Sequence, residues 1–296
     1  CMNGFHACKF PFVVFRFYTP GGNNRYCAVT QSGEMDEDGE DFKIASSNIR
    51  IEGEIGIDGI IEAGIKYVLD DLGRTDDPEA SDSEERSVAT NKSEHGAAKD
   101  SDYQSGVLSV GDYSLATAFG YYSIAANTGD CSIAKNIAFQ SVSANTGYYS
   151  AAINDGDCSI ASNAGNGSVA VNKGEYSAAL NTGADSVAMS KGLCSVSVNT
   201  GCDSAAISDG SYSVAVAVGR GSLAKVSGPE SIAIVTNDGG KAAGALGDWI
   251  VLTERGRWNE NNGTYRIKEV KAFKVDGKKI KADTFYKLVN GEAVEA

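Results

Sequence analysis

The stretch SVAVNKGEYSAALNTGADSVAMSKG (168–192) carries three serines nine residues apart, Ser168, Ser177 and Ser186, and each is followed two residues later by an alanine. Serine keeps this spacing from Ser114 to Ser231, fourteen times in all. A glycine stands three residues before each serine, except at Ala138, and the alanine is replaced only at Ser143 and Ser197. The residue directly after the serine is apolar, and asparagine recurs four residues after it, as at Asn154 and Asn181. Apolar alternation inside a period of nine reads as a short strand followed by a turn. One such unit cannot bury its own side chains, so faithful repetition means strands stacked in a β-solenoid. The reading gives structural roles to Ser150, Ser159, Ser177, Gly147, Gly156, Gly174, Asn154 and Asn181. It assigns the glycines a positive φ closed to other residues and the asparagines hydrogen bonds to local backbone at the turns.

The number of copies per coil is tested by sorting the residue after each serine into columns. With three copies per coil, Ala151, Ala178 and Ala205 share a column whose larger partners two residues on are Ile153, Leu180 and Ile207. Small-with-large pairing suits a packed interior. The segments GYYS (120–123 and 147–150) and GEYS (174–177) recur at the same three-copy interval. A three-faced 27-residue coil is therefore favoured, with a two-faced 18-residue roll as the alternative. The 27-residue coil stacks Cys131 on Cys158 and lines up Tyr122, Tyr149 and Tyr176, with Tyr121 and Tyr148 in the next column. Such a row of rings either stiffens the solenoid or binds a protein or glycan partner.

Around the repeats the 296 residues are unevenly charged, with an acidic front (1–110), a weakly charged middle and a basic tail (241–296). The net charge of −13 argues against a nucleic-acid partner, and no apolar run is long enough for a membrane span. The expected organisation is mostly β: an α/β cap over 1–73, an acidic flexible linker over 74–105, solenoid repeats over 106–243 and a β cap over 244–296. In the first cap, residues 50–57 alternate as a strand, and Ile57, Ile60, Ile61, Ile65 and Val68 have helical spacing. In the last, 249–254 and 264–275 read as strands joined through NENNG (259–263).

The copies SVAVNKG (168–174) and SVAMSKG (186–192) resemble the repeat in the heads of trimeric autotransporter adhesins, which implies a parallel β-roll and a homo-oligomer. Over nearly the whole chain, GFHAC (4–8), IASSNIRIEGEIGIDGIIEAGIKYVL (44–69), the serine repeats, GALGDWIVLTE (244–254) and KVDGKKIKADTFYKLVNGEAVE (274–295) follow one another. That order is similar to a group of uncharacterised repeat proteins of gut bacteria and their phages. This second resemblance implies a setting and no chemistry.

Seven cysteines, an odd number without a dense disulfide pattern, favour a reducing setting, cytoplasmic or virion-associated, over the cell surface. A chain starting at Cys1 fits a processed lipoprotein or a fragment, and the interior character of GFHAC favours the fragment. Cys1, His6, Cys8 and Cys27 supply zinc-type ligands, but without CxxC spacing no metal is expected. Each copy has one regular glycine and no fixed aspartate, which argues against the calcium-binding nonapeptide roll. Only His6 and His95 are histidines, and no nucleophile, metal-hydrolase or dinucleotide motif occurs. The expectation is a non-catalytic structural or display protein without cofactor. A surface adhesin or virion-associated receptor or glycan binder is the alternative, and a polysaccharide-active solenoid enzyme the second.

Overall fold

The computed structural model of the chain describes residues 4–20, 24–38, 43–72, 79–82, 88–259 and 264–296. A four-residue strand follows each repeat serine, as in Val169–Asn172, Ala178–Asn181 and Val187–Ser190. Each pairs in parallel with the strand two copies further on: Val169 with Val187, and Ala178 with Val196. Consecutive strands thus alternate between two sheets, and about nine turns stack into a flat solenoid.

The β-solenoid is as expected, but its coil is the two-faced 18-residue roll and not the favoured three-faced one. The physical reason lies in which side chains point inward. The second and fourth residues of each strand face the interior, where Ala116, Ala125, Ala134, Ala161, Ala170 and Ala179 have no exposed surface. The first and third residues, whose columns pair as a core in the three-faced arrangement, lie outside. An interior of alanine, serine and asparagine fills only a thin two-layer coil; three faces would enclose a wider space needing large side chains. At Ser143 and Ser197, where alanine is missing, the hydroxyl donates across the interior to the carbonyls of Ile153 and Ile207 on the opposite sheet.

From Ser114 onward the buried serines and asparagines of the repeat are tied into ladders that climb one coil at a time. The backbone N–H of Ser132 donates to Oγ of Ser150 at 3.1 Å, and that of Ser150 to Oγ of Ser168 at 3.0 Å. Asn154 Nδ2 donates to the Ser141 carbonyl, while its Oδ1 accepts from Gly156 N–H at 2.9 Å. The glycines serve a different purpose from the positive φ assigned to them. Gly147, Gly156 and Gly174 are absent from the positive-φ positions, which fall instead on the residue just before each serine: Tyr149 has φ 54°, Cys158 54° and Tyr176 53°. Glycine is required because the coils touch. A Cβ on Gly147 would lie 1.9 Å from the carbonyl oxygen of Gly129, one coil below, and on Gly174 2.0 Å from that of Gly156.

The solenoid begins inside the stretch read as a linker. Glu79–Asp82, Val88–Asn91 and Ala97–Asp100 are parallel strands that extend the two sheets. Their polar composition does not exclude them, because only the inward positions must be apolar or hydrogen-bonded. Asn91 makes the repeat's turn bond to Ser93 N–H at 2.8 Å.

The N-terminal unit is a three-stranded antiparallel sheet of β1 (Phe5–Cys8), β2 (Tyr26–Asp38) and β3 (Lys43–Ile55), in the order β1-β3-β2. Two helices follow its strands, α1 (Val14–Phe17) after a 3-10 turn at Pro11–Val13 and α2 (Ile57–Leu72) after β3. Phe10, Phe12 and Phe15 are fully buried and cluster with Ile60 and Ile61 of α2. Gly64 leaves room for the Phe12 ring, which a Cβ there would meet. The same cluster continues into the outward side chains of one solenoid sheet, Ile133, Ile153, Val169, Val171 and Val187. That sheet is therefore buried on both faces, and each large side chain so covered contributes about 1.5–3 kcal/mol. The side chain of Val68 lies outside the described residues.

At the far end each sheet receives an antiparallel hairpin. Trp249–Asn259 stacks in parallel on Ile232–Val235 and pairs back with Thr264–Lys274. On the covered sheet, Tyr286–Val289 pairs with Glu292–Glu295. Asp248 closes the serine ladder: its Oδ1 accepts from Ser231 N–H at 3.1 Å where another serine hydroxyl would stand. The NENNG turn lies, after Asn259, outside the described residues.

Candidate functional site

The two sheets differ in what meets solvent. The sheet opposite the N-terminal unit, here the open sheet, has its outward positions half-buried or exposed along its whole length. From Gly106 to Val251 these positions hold Leu, Val, Ile, Ala, Ser, one glycine and Trp249, and no charged residue. Ile124 is 51% exposed, Val88 62% and Trp249 45%. The residue following each open strand extends the face: Lys92 after Val88–Asn91, and from Val110 through Thr128, Thr146 and Thr200 to Thr236 only uncharged side chains. The covered sheet, by contrast, has Lys135 and Lys225 among its outward positions, and Lys135 and Lys173 flank Asp155 at 3.5 and 3.2 Å.

The predicted tyrosines do not form one row. Tyr148 and Tyr149 lie on the edge that leads into the covered sheet, together with Gly147 and Ser150. Tyr121, Tyr122 and Tyr176 lie on the opposite edge, with Gly156, Gly174, Ser159 and Ser177. This follows from the two-copy coil, because a step of three copies is one and a half turns. Cys131 accordingly neighbours Tyr149 in its column, donating its backbone N–H to the Tyr148 carbonyl at 2.9 Å, and Cys158 lies on the other edge. The second edge does carry an aromatic cluster, which joins Tyr121 and Tyr122 of the expected set to Tyr103 and Phe139, two rings outside it. Tyr103, Tyr121 and Phe139 follow one another at intervals of one coil and are all exposed, and Tyr103 meets Tyr122 edge-on at 5.6 Å. Their spacing is visible in the sequence once the coil length is known.

A cavity of about 630 Å³ lies in the N-terminal unit, with His6, Cys8, Arg25, Cys27 and Lys43 among its walls. Cys1 lies outside the described residues, and among those described no three His, Cys, Asp or Glu side chains come together as metal ligands. Burial pushes the Cys8 thiol up, against the smaller opposing pull of Lys43, so Cys8 lacks the depressed pKa of an activated nucleophile. His95 stacks on Tyr113 at 5.0 Å. The repeat serines use their hydroxyls in the ladders, as Ser150 Oγ does toward the Gly129 and Tyr148 carbonyls. No helix among the described residues is long and apolar enough to cross a membrane.

A family model described as a domain of unknown function (DUF7666) matches residues 1–63. The match ends within α2, so it covers the unit that packs on the covered sheet and none of the repeats. No curated protein and no solved structure matches the chain.

Proposed function

We propose that this is a non-catalytic interaction protein, a solenoid of a phage or gut bacterium that holds one sheet open for a macromolecular partner. The observation that carries the reading is the contrast between the sheets. The chain covers the outward face that contains Lys135 and Lys225 and leaves exposed the one whose outward positions from Gly106 to Val251 carry no charge. Monomeric proteins seldom expose contiguous apolar surface beyond a few hundred Å² unless something binds there. Side-chain footprinting by hydroxyl radicals tests it, comparing the protein in extract from its source with the same protein denatured and refolded alone at high dilution. Protection of Leu180, Val198 and Ile234 in the extract is the expected result. Equal labelling in both samples overturns the reading.

The aromatic edge supports a second reading, in which Tyr103, Tyr121, Tyr122 and Phe139 bind glycan. Ring faces at the strand repeat suit stacking against successive sugars, and the net charge of −13 favours neutral over acidic ones. Loss of binding to neutral polysaccharides in Tyr121→Ala, with unchanged melting, is the expected outcome. Unaltered binding removes this reading.

A further inference from the structure

We propose that the partner seated on the open sheet is a second copy of this chain. The inference rests on reading that face as a binding surface and names its occupant. Ten strands at the usual spacing of about 4.8 Å, each with about five residues across, give a face of roughly 43 by 16 Å, or roughly 700 Å² before its corrugation is counted. A stable protein interface takes about 800 Å² from each partner. The open face is thus of the size that one copy offers another.

Charge selects the occupant. Two chains of net charge −13 repel each other over most of their surfaces. The open sheet is the exception, since its outward positions from Gly106 to Val251 carry no charge of either sign, and the residues that bound this span, Lys92 after Val88–Asn91 and Lys274 opposite Trp249, add no negative charge. An anionic membrane or a nucleic acid would need lysines or arginines there. A second copy needs only apolar surface and matching relief, and both are given by the repeat itself. Side-chain ridges such as Val196, Val214 and Ile232 recur at the strand spacing in each copy, so two faces interdigitate. Trp249 at one end, 45% exposed, supplies the kind of large anchor on which interfaces concentrate their energy. The same patch on both subunits makes the contact isologous and self-limiting. The N-terminal unit does not interfere, because it occupies the opposite sheet.

The test is the mass of the full chain by light scattering at micromolar concentration. A value of twice 30.8 kDa is expected, and the double substitution Val198→Lys with Val216→Lys should give a monomer with the same circular dichroism. Ser162→Cys gives an independent measure that does not disturb the face, with its thiol protected from maleimide in the assembly and reactive after dilution to monomers. A wild-type monomer overturns the proposal, and so does a dimer in which the Ser162→Cys thiol stays fully reactive. The two failures are separable. A monomer that binds an apolar fluorescent dye, and loses it in the lysine variant, removes the second copy and leaves the binding face. A monomer that binds no dye removes both.

Discussion

The Cα of Gly147 approaches the backbone of Gly129 so closely that a Cβ on it would lie 1.9 Å from the carbonyl oxygen. The contact is between glycines of adjacent coils, and it repeats up both edges of the solenoid. It makes the coil spacing and the glycine column one constraint.

Replacing Gly147 by alanine should therefore destabilise the chain by about 1–3 kcal/mol, the cost of forcing a methyl into a packed site. Thr146→Ala, at the exposed neighbouring position, should change stability by less than about 0.5 kcal/mol. The chain contains its own example at Ala138. There the backbone bond from Ile137 to Ala118 lengthens to 3.3 Å, and that from Tyr122 to Phe139 to 3.2 Å, whereas Asp155 to Asn136 in the coil above is 2.9 Å. Denaturant unfolding of the three variants, with Ala138→Gly no less stable than the native chain, checks the account.

The residue before each serine presents the opposite case. Cys194 holds φ 53°, a left-handed conformation that costs a residue with a side chain about 1–2 kcal/mol. Cys194→Gly should raise the melting temperature by a few degrees, partly offset by the greater freedom of glycine in the unfolded chain. A lower melting temperature would show that the side chain contributes more than the strain removes.

The thiols should react in two classes. Cys27, Cys158, Cys194 and Cys202 are exposed. Cys131 is buried beneath its column neighbours, and burial pushes its thiol up to about 12. Iodoacetamide at pH 8 followed by peptide mass spectrometry should label the exposed four in the folded protein and Cys131 only after unfolding. Early labelling of Cys131 would contradict the column placement.

Asp248 predicts a pH effect at the cap. Burial raises its carboxyl pKa, against a smaller lowering by the backbone N–H groups of Ser231 and Ala245. A carboxyl raised on folding favours the folded state most when protonated, so its contribution is complete below the ordinary aspartate value near 3.8 and is lost as pH rises through the raised one. Asp248→Asn cannot ionise. The native chain should thus lose stability relative to this variant as pH rises across that window, and a pH-independent difference in unfolding free energy would refute the assignment.

The repeat, the strands and the expectation of a β-solenoid can all be read from the spacing of Ser114 to Ser231. The coil length cannot be read from the same serines, because the interior is alike in every copy. Ala116 and Ala125 face each other's layer whether two or three strands complete a turn. The decisive signal lies outside, at Lys135 and Lys225. Both are third residues of their strands, so that position faces out and its pairing with the first says nothing of a core. The early coils are hidden for a different reason. Val88–Asn91 keeps the apolar, alanine and asparagine positions of the motif, but its acidic surroundings resemble a linker by composition alone. The open face is hard to see because its columns form only after the chain is sorted two copies at a time. The tyrosine row fails with the three-copy coil.

The alternation of nine-residue copies between a covered and an open sheet has a parity. Removing one copy would leave every local motif intact, yet each strand beyond the cut would change sides. Lysines such as Lys225, which face out of the covered sheet, would then surface in the uncharged face, and the N-terminal unit would meet residues suited to the other sheet. Removing two copies shortens the stack by one storey and leaves every remaining strand in its own sheet. Lengths of this array that keep both faces intact therefore differ by even numbers of copies, so that a pair of copies, not a single one, is the smallest step by which such a chain can grow or shrink.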